Sequence, residues 1–157
     1  MTKAQRTPLM IACQKGHLKA AQILIERGAD FEKCTESGTP LILAVESGNI
    51  DLVKYLLSLS GKGGSGHHLS LNDTDKAGVS PLYVACYNHK LDMIKFLLSP
   101  ENDCSILKAT GPNNSSIFHG IIDRDFRDVA ALVLEQIRLR YPENHFEIVA
   151  KIVSARD

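Results

Sequence analysis

Apolar residues come along this chain in recurring blocks. A hydroxyl and a proline introduce an apolar stretch three times: Thr7-Pro8-Leu9-Met10-Ile11-Ala12, Thr39-Pro40-Leu41-Ile42-Leu43-Ala44 and Ser80-Pro81-Leu82-Tyr83-Val84-Ala85. A degraded copy runs Ser115-Ser116-Ile117-Phe118-His119-Gly120. After a polar break each copy is followed by a second apolar stretch: Leu18 to Ile25, Ile50 to Leu57, Leu91 to Leu98 and Phe126 to Leu134. Such a pattern predicts a helix, a tight turn and a second helix, repeated four times. With Pro8, Pro40, Pro81 and Ser116 as landmarks the copies lie 32, 41 and 35 residues apart, scattered around a period of about 33. The long second interval holds Gly61-Lys62-Gly63-Gly64-Ser65-Gly66, too poor in apolar residues to order itself, so the unit carries an inserted loop over 58–70.

Local chemistry agrees with this division. Thr7, Thr39 and Ser80 can each accept a hydrogen bond from a free N–H of the first turn, and the proline that follows lacks an N–H where none is needed. Gly16 and Gly48 fall where the first helix must stop and reverse, which favours a residue that tolerates positive φ. His89 holds that place in the third unit and Arg124 is assigned to it in the fourth. The last second helix is expected to run from Phe126 to Arg140, until Tyr141-Pro142 breaks it. Phe146, Val149, Ala150 and Val153 have the spacing of one helical face and predict a closing helix over about 142–155.

These residues resemble the ankyrin repeat, whose units begin Thr-Pro-Leu-His, continue through Ala-Ala and Gly-His-Leu, and end in a Leu-rich helix followed by Gly-Ala-Asp. The first unit is nearly complete, with Thr7-Pro8-Leu9, Ala12, Gly16-His17-Leu18, Ile23-Leu24-Ile25 and Gly28-Ala29-Asp30. The resemblance covers roughly residues 6 to 137. It implies an all-α solenoid of helix-turn-helix units joined by short hairpin loops. The whole chain, 1–157, then forms one domain with repeats at about 6–38, 39–79, 80–114 and 115–140. In place of the family's histidine after Thr-Pro-Leu stand Met10, Ile42, Tyr83 and Phe118, so the imidazole's hydrogen bond is expected to be absent. The fourth unit, lacking Pro, Ala and the terminal Gly-Ala-Asp, has the character of an end unit. A chain that opens just before the first Thr-Pro and stops just after the closing helix is expected to be a domain excised from a longer protein.

Charge and candidate chemistry narrow the function classes. The 18 basic and 18 acidic side chains cancel, and no stripe of Lys and Arg with interleaved aromatics argues for nucleic acid. The apolar runs are too short to span a bilayer and the N-terminus lacks a signal-peptide core, so no membrane insertion and an intracellular place, cytoplasmic or nuclear, are expected. Cys13 and Cys86 occupy one slot two units apart, too far for a disulfide, and are expected in the core. Cys34 and Cys104 fall in connections, where either could be exposed, and both are expected to be spectator thiols with no redox role. Gly61-x-Gly63-x-x-Gly66 follows a helix rather than a strand and opens no helix, so it fits a flexible loop better than a dinucleotide site. His67-His68 lacks a third ligand at metal-binding spacing. No catalytic residue, metal or cofactor is expected, and the chain is not expected to be an enzyme.

Function must then reside in exposed positions. In a solenoid of this kind the ends of the first helices and the hairpin tips make one continuous concave surface. The first-helix positions are Gln14 and Lys15, Glu46 and Ser47, Tyr87 and Asn88, then Ile122 and Asp123. The hairpins add Lys33, Thr35, Glu36, Asp73, Asp75 and Lys76. Tyr87 is the expected hot spot, combining wide contact area with a hydroxyl at small entropic cost. Glu46, Asp75 and Lys76 would tune partner choice and encounter rate. The expectation is a monomeric module that binds a protein or peptide partner, as part of a scaffold or signalling protein. The alternatives are a free-standing inhibitor of a kinase or other enzyme, and the targeting arm of a larger enzyme, channel or bacterial effector.

Overall fold

The computed structural model describes residues 6–35, 38–60 and 69–154. Helices α1 (Pro8–Gln14), α2 (Leu18–Glu26), α3 (Pro40–Ser47), α4 (Ile50–Ser58), α5 (Pro81–Tyr87), α6 (Leu91–Leu97), α7 (Ile117–Asp123), α8 (Arg127–Arg140) and α9 (His145–Ser154) follow in order. Odd-numbered helices α1, α3, α5 and α7 lie side by side, and each packs on the helix that follows it. This is an all-α stack of four helix pairs closed by α9.

Every pair starts for a local reason. Thr7 accepts from the N–H of Met10 at 3.2 Å, Thr39 from Ile42 at 3.2 Å and Ser80 from Tyr83 at 3.3 Å, each ahead of a proline at the first helical position. The turn between the paired helices places one residue at positive φ: Gly16 (71°), Gly48 (82°), His89 (55°) and Asp125 (52°). Asp125, not Arg124, holds this place in the fourth unit. The slip of one residue arises because Ser116 is the helix cap and Ile117 takes the proline slot. His119 therefore stands where the family's histidine belongs, contrary to the expectation that no unit keeps it. Its Nδ1 accepts the Ser116 N–H at 3.3 Å and lies 2.8 Å from the Ser116 hydroxyl oxygen.

Asp125 carries the left-handed backbone without glycine's freedom, and its ion pair with Arg127, 3.1 Å, is largely open to solvent. Asp125→Gly should therefore stabilise the domain by about 0.5–1 kcal/mol, because relief of the left-handed strain exceeds the added unfolded-state entropy. Urea denaturation checks this, and a destabilised variant would contradict the corrected register. His89, in the matching conformation, is held instead by Asp128 at 2.6 Å and by stacking on the Phe126 ring at 4.5 Å. The hydrogen bond from His89 keeps the Asp128 carboxyl below its ordinary range.

Between units the core consists of stacked Leu, Ile, Val, Met and small residues, with Leu9, Leu41 and Leu82 repeating one slot and Leu56 and Leu97 another. Polar bonds stitch the same boundaries. Asn49 donates to Gly16 O at 2.8 Å, Thr110 donates to Gly78 O at 2.7 Å, and Asn72 both donates to Asp103 O and accepts from Ser105 N. Arg140, at the end of α8, donates to the carbonyls of Leu98 and Cys104, both at 2.8 Å, which ties the last helix pair to the unit before it.

The inserted loop leaves and returns at one point: Ser60 Oγ is 3.4 Å from Leu69 O. Gly61, Gly63, Gly66, His67 and His68 lie outside the described residues, as do Glu36 and Ser37.

Two further points go beyond the sequence reading. Cys104, whose exposure the sequence leaves open, is buried, because the third connection folds back over the core and its thiol faces Leu71 O at 3.9 Å. Burial pushes the thiols of Cys13, Cys86 and Cys104 up to about 12, with Cys104 adding to the shift at Cys86. In α9 the inward face is Ile148 and Ile152, while Phe146 and Val153 point to solvent. Six apolar residues crowd positions 146–153, so two helical stripes overlap, and contact with α7 and α8 selects the branched pair.

Candidate functional site

The last turns of α1, α3, α5 and α7 form one face, and the one-residue slip changes its composition. Counting eight residues back from each positive-φ turn residue finds the first residue of the helix, and the matching pairs are Gln14 and Lys15, Glu46 and Ser47, Tyr87 and Asn88, then Asp123 and Arg124. Ile122 lies one slot earlier. Gln14 donates to Glu46 at 3.4 Å and accepts from Arg6 at 2.8 Å, which links the first two units along this face. Lys15 is exposed. Ser47 donates to Ala44 O and Asn88 to Val84 O, so both side chains finish their own helices.

Tyr87 sits at the centre of a built feature. It is half-buried, its ring stacks on Tyr83 at 5.9 Å with an interplanar angle of 13°, and the Arg124 guanidinium covers it at 4.2 Å. Hydrogen bonding to Tyr87 raises the Arg124 pKa above its already high ordinary value. Arg124 presents a cation over an aromatic face. Beside this pair lies a cleft of about 340 Å³, walled by Tyr83, Tyr87, His119 and Asp123 and, on the hairpin side, by Pro112, Asn113 and Ser115.

Two glycines make the cleft's floor possible. A Cβ on Gly111 would sit 2.2 Å from the Tyr83 ring and one on Gly120 would sit 3.3 Å from it. Asn113 and Asn114, at φ of 56° and 59°, turn the hairpin tip that forms the far wall. The cleft offers an aromatic floor, a carboxylate, an imidazole and an adjacent guanidinium, which suits recognition of a mixed polar and apolar side chain. Neither the cleft nor the role of Arg124 was anticipated from the sequence. The signal was present, since Ser116-x-x-His119 repeats the cap spacing of Thr7-x-x-Met10.

Hairpin residues divide by environment. Thr35 is buried, with its hydroxyl donating to Gly38 O at 3.3 Å and lying 3.6 Å from Met10 Sδ. Asp75 accepts the N–H groups of Ala77 and Val79, both at 2.9 Å, and so shapes its own turn. Lys33, Asp73 and Lys76 are exposed. A second cleft, about 450 Å³, opens between the first two hairpins beside Glu32, Thr39, Asp73 and Thr74. Glu36 lies outside the described residues.

A family model for ankyrin repeats in three copies matches residues 1–64 and 32–110. The chain belongs to the ankyrin repeat family. It is similar to a putative ankyrin repeat protein, FPV022, of Fowlpox virus (strain NVSL), 30% identical over 117 residues that cover 62% of this chain and 20% of the relative. It is also similar to protein fem-1 homolog A-like of Mus musculus, 30% identical over 105 residues, covering 66% of this chain and 15% of the relative. Ankyrin repeat domain-containing protein 63 of Homo sapiens is 28% identical over 111 residues, 70% of this chain and 28% of the relative. The chain therefore spans less than a third of the length of these curated relatives. Ankyrin repeats are generally non-enzymatic protein–protein interaction modules. Among the described residues no helix is long and apolar enough to cross a membrane, and no group of three His, Cys, Asp or Glu side chains could hold a metal ion.

Proposed function

We propose that this ankyrin-repeat domain binds a protein or peptide partner on the face formed by α1, α3, α5 and α7, with the partner's anchor side chain seated in the cleft beside Tyr87. One observation carries this: Tyr87 is held between Tyr83 and Arg124 at the mouth of a cleft, so a partner that reaches its free edge meets a side chain already in place, without further loss of side-chain freedom. Gln14, Lys15, Glu46 and Lys76, farther along the stack, would set charge preference and encounter rate. Relatives several times longer than the match support a role as one module within a larger scaffold or signalling protein. The four cysteines, all free, support an intracellular place, cytoplasmic or nuclear.

Tyr87→Ala should weaken a partner's binding by about 30-fold or more if Tyr87 is a hot spot worth at least about 2 kcal/mol. The measurement is affinity capture with quantitative mass spectrometry, comparing wild type, Tyr87→Ala and, as a control on a second helix, Lys19→Ala, each first shown folded by circular dichroism. Proteins held by wild type and control but lost with Tyr87→Ala would support the assignment. Equal retention by all three would overturn it.

A further inference from the structure

The cleft beside Tyr87 carries a hydrogen-bond donor and an acceptor on one turn of helix. His119 and Asp123 are four residues apart on α7, so their side chains leave the same face, and both wall the cleft. The helix cap fixes which imidazole nitrogen carries the proton. Nδ1 of His119 accepts the Ser116 N–H at 3.3 Å, and the Ser116 hydroxyl, 2.8 Å away, can donate to it as well. Ser116 is buried, so water does not compete for that nitrogen. A ring nitrogen that accepts has no proton of its own, so the proton of the neutral ring stands on Nε2 and makes it a donor. Among the described residues neither Nε2 nor the exposed Asp123 carboxylate makes a hydrogen bond.

The surrounding charges select against an ionic anchor. Asp123 is followed by Arg124, whose guanidinium lies over the Tyr87 ring. A cation in the cleft meets the nearby guanidinium and the Nε2–H, and an anion meets the Asp123 carboxylate. A purely apolar group would take water from both the donor and the acceptor and return no bond to either. A flat neutral group that accepts on one arm and donates on the other avoids each of these costs, and its face can lie against the aromatic floor that Tyr83 and Tyr87 provide.

We infer that the cleft selects a carboxamide, the side chain of a glutamine or asparagine in the partner. Its carbonyl oxygen accepts from His119 Nε2–H, and its NH2 donates to the Asp123 carboxylate. This inference rests on the binding face proposed above and names the chemistry of the anchor that the face receives.

A phage-displayed library of random peptides, selected on the full chain and then compared for binding to Tyr87→Ala, tests the face and the anchor separately. Peptides held by the wild type and lost with Tyr87→Ala should share a Gln or Asn position. In a synthetic copy of one such peptide, replacing that amide by the matching acid or by leucine should each weaken binding by about tenfold or more in isothermal titration calorimetry, as expected for a hydrogen bond to a charged group. Asp123→Ala, at an exposed position and checked by circular dichroism, should weaken the amide peptide and abolish its preference over the acid peptide. A merely structural residue would not change that preference, so its persistence in Asp123→Ala would overturn the inference. Tyr87-dependent peptides that share a charged, histidine or apolar anchor would also overturn it while leaving the binding face in place. A library that yields no Tyr87-dependent peptide would overturn the face, and the carboxamide with it.

Discussion

Leu56→Ala should lower the unfolding free energy by about 2–5 kcal/mol, the range for deleting most of a fully buried leucine and leaving a cavity. Leu56 is 0% exposed near the end of α4, inside the stack. In a solenoid each unit contacts only its neighbours, so a cavity at an inner boundary weakens the coupling on which cooperative folding rests. The same change at Leu24 should cost clearly less. Leu24 repeats the Leu56 slot in the first unit but is only partly buried, because nothing among the described residues stacks in front of it. Urea denaturation followed by helical circular dichroism gives both values. A loss under about 1 kcal/mol for Leu56→Ala, or equal losses at the two sites, would contradict the stacking described above.

That pair of positions also illustrates what was legible beforehand. The hydroxyl-proline starts, the glycine turns and the apolar stretches are local chemistry repeated at nearly constant spacing, so three of the four helix pairs could be placed from the chain alone. Each copy corroborated the others. The fourth unit had lost its proline and turn glycine, the two markers with conformational meaning, and the assignment slipped by one residue. That slip was enough to put Ile122 on the binding face in place of Arg124. Helical periodicity also could not choose between the overlapping stripes of α9, because the choice is made by α7 and α8, which are remote in sequence. The burial of Cys104 was not legible for a similar reason: how far a connection folds back over the core depends on bonds such as Arg140 to Cys104 O, and spacing does not contain them. The cleft is the least legible feature, since it arises from Tyr83 in α5, a glycine in the next hairpin and another in α7.

Gly111→Ala probes that convergence directly and should destabilise the domain by about 1–3 kcal/mol, as overpacking does in a well-filled site. Backbone conformation is not the obstacle. Gly111 has φ −112° and ψ −167°, extended values that alanine adopts freely and that suit a residue before Pro112. On entropic grounds alone the change would stabilise by about 0.4–1 kcal/mol, so any loss reports the new contact. The added Cβ would lie 2.2–2.6 Å from three atoms of the Tyr83 ring. The ring cannot easily retreat, being 9% exposed, stacked on Tyr87 and bounded by Gly120. Nor can the hairpin yield freely, because Gly111 N–H donates to Ser115 O at 2.7 Å and Thr110 is bonded to Ser80 and Gly78. In a Tyr83→Ala background the clash disappears, so the cost of Gly111→Ala should fall, with a coupling of about 0.5–3 kcal/mol between the two sites. Additive losses would mean that Gly111 and Tyr83 do not meet. If they do, forcing the ring toward Tyr87 disturbs the stack that Arg124 covers, and partner binding should weaken in Gly111→Ala even at temperatures where the domain remains folded.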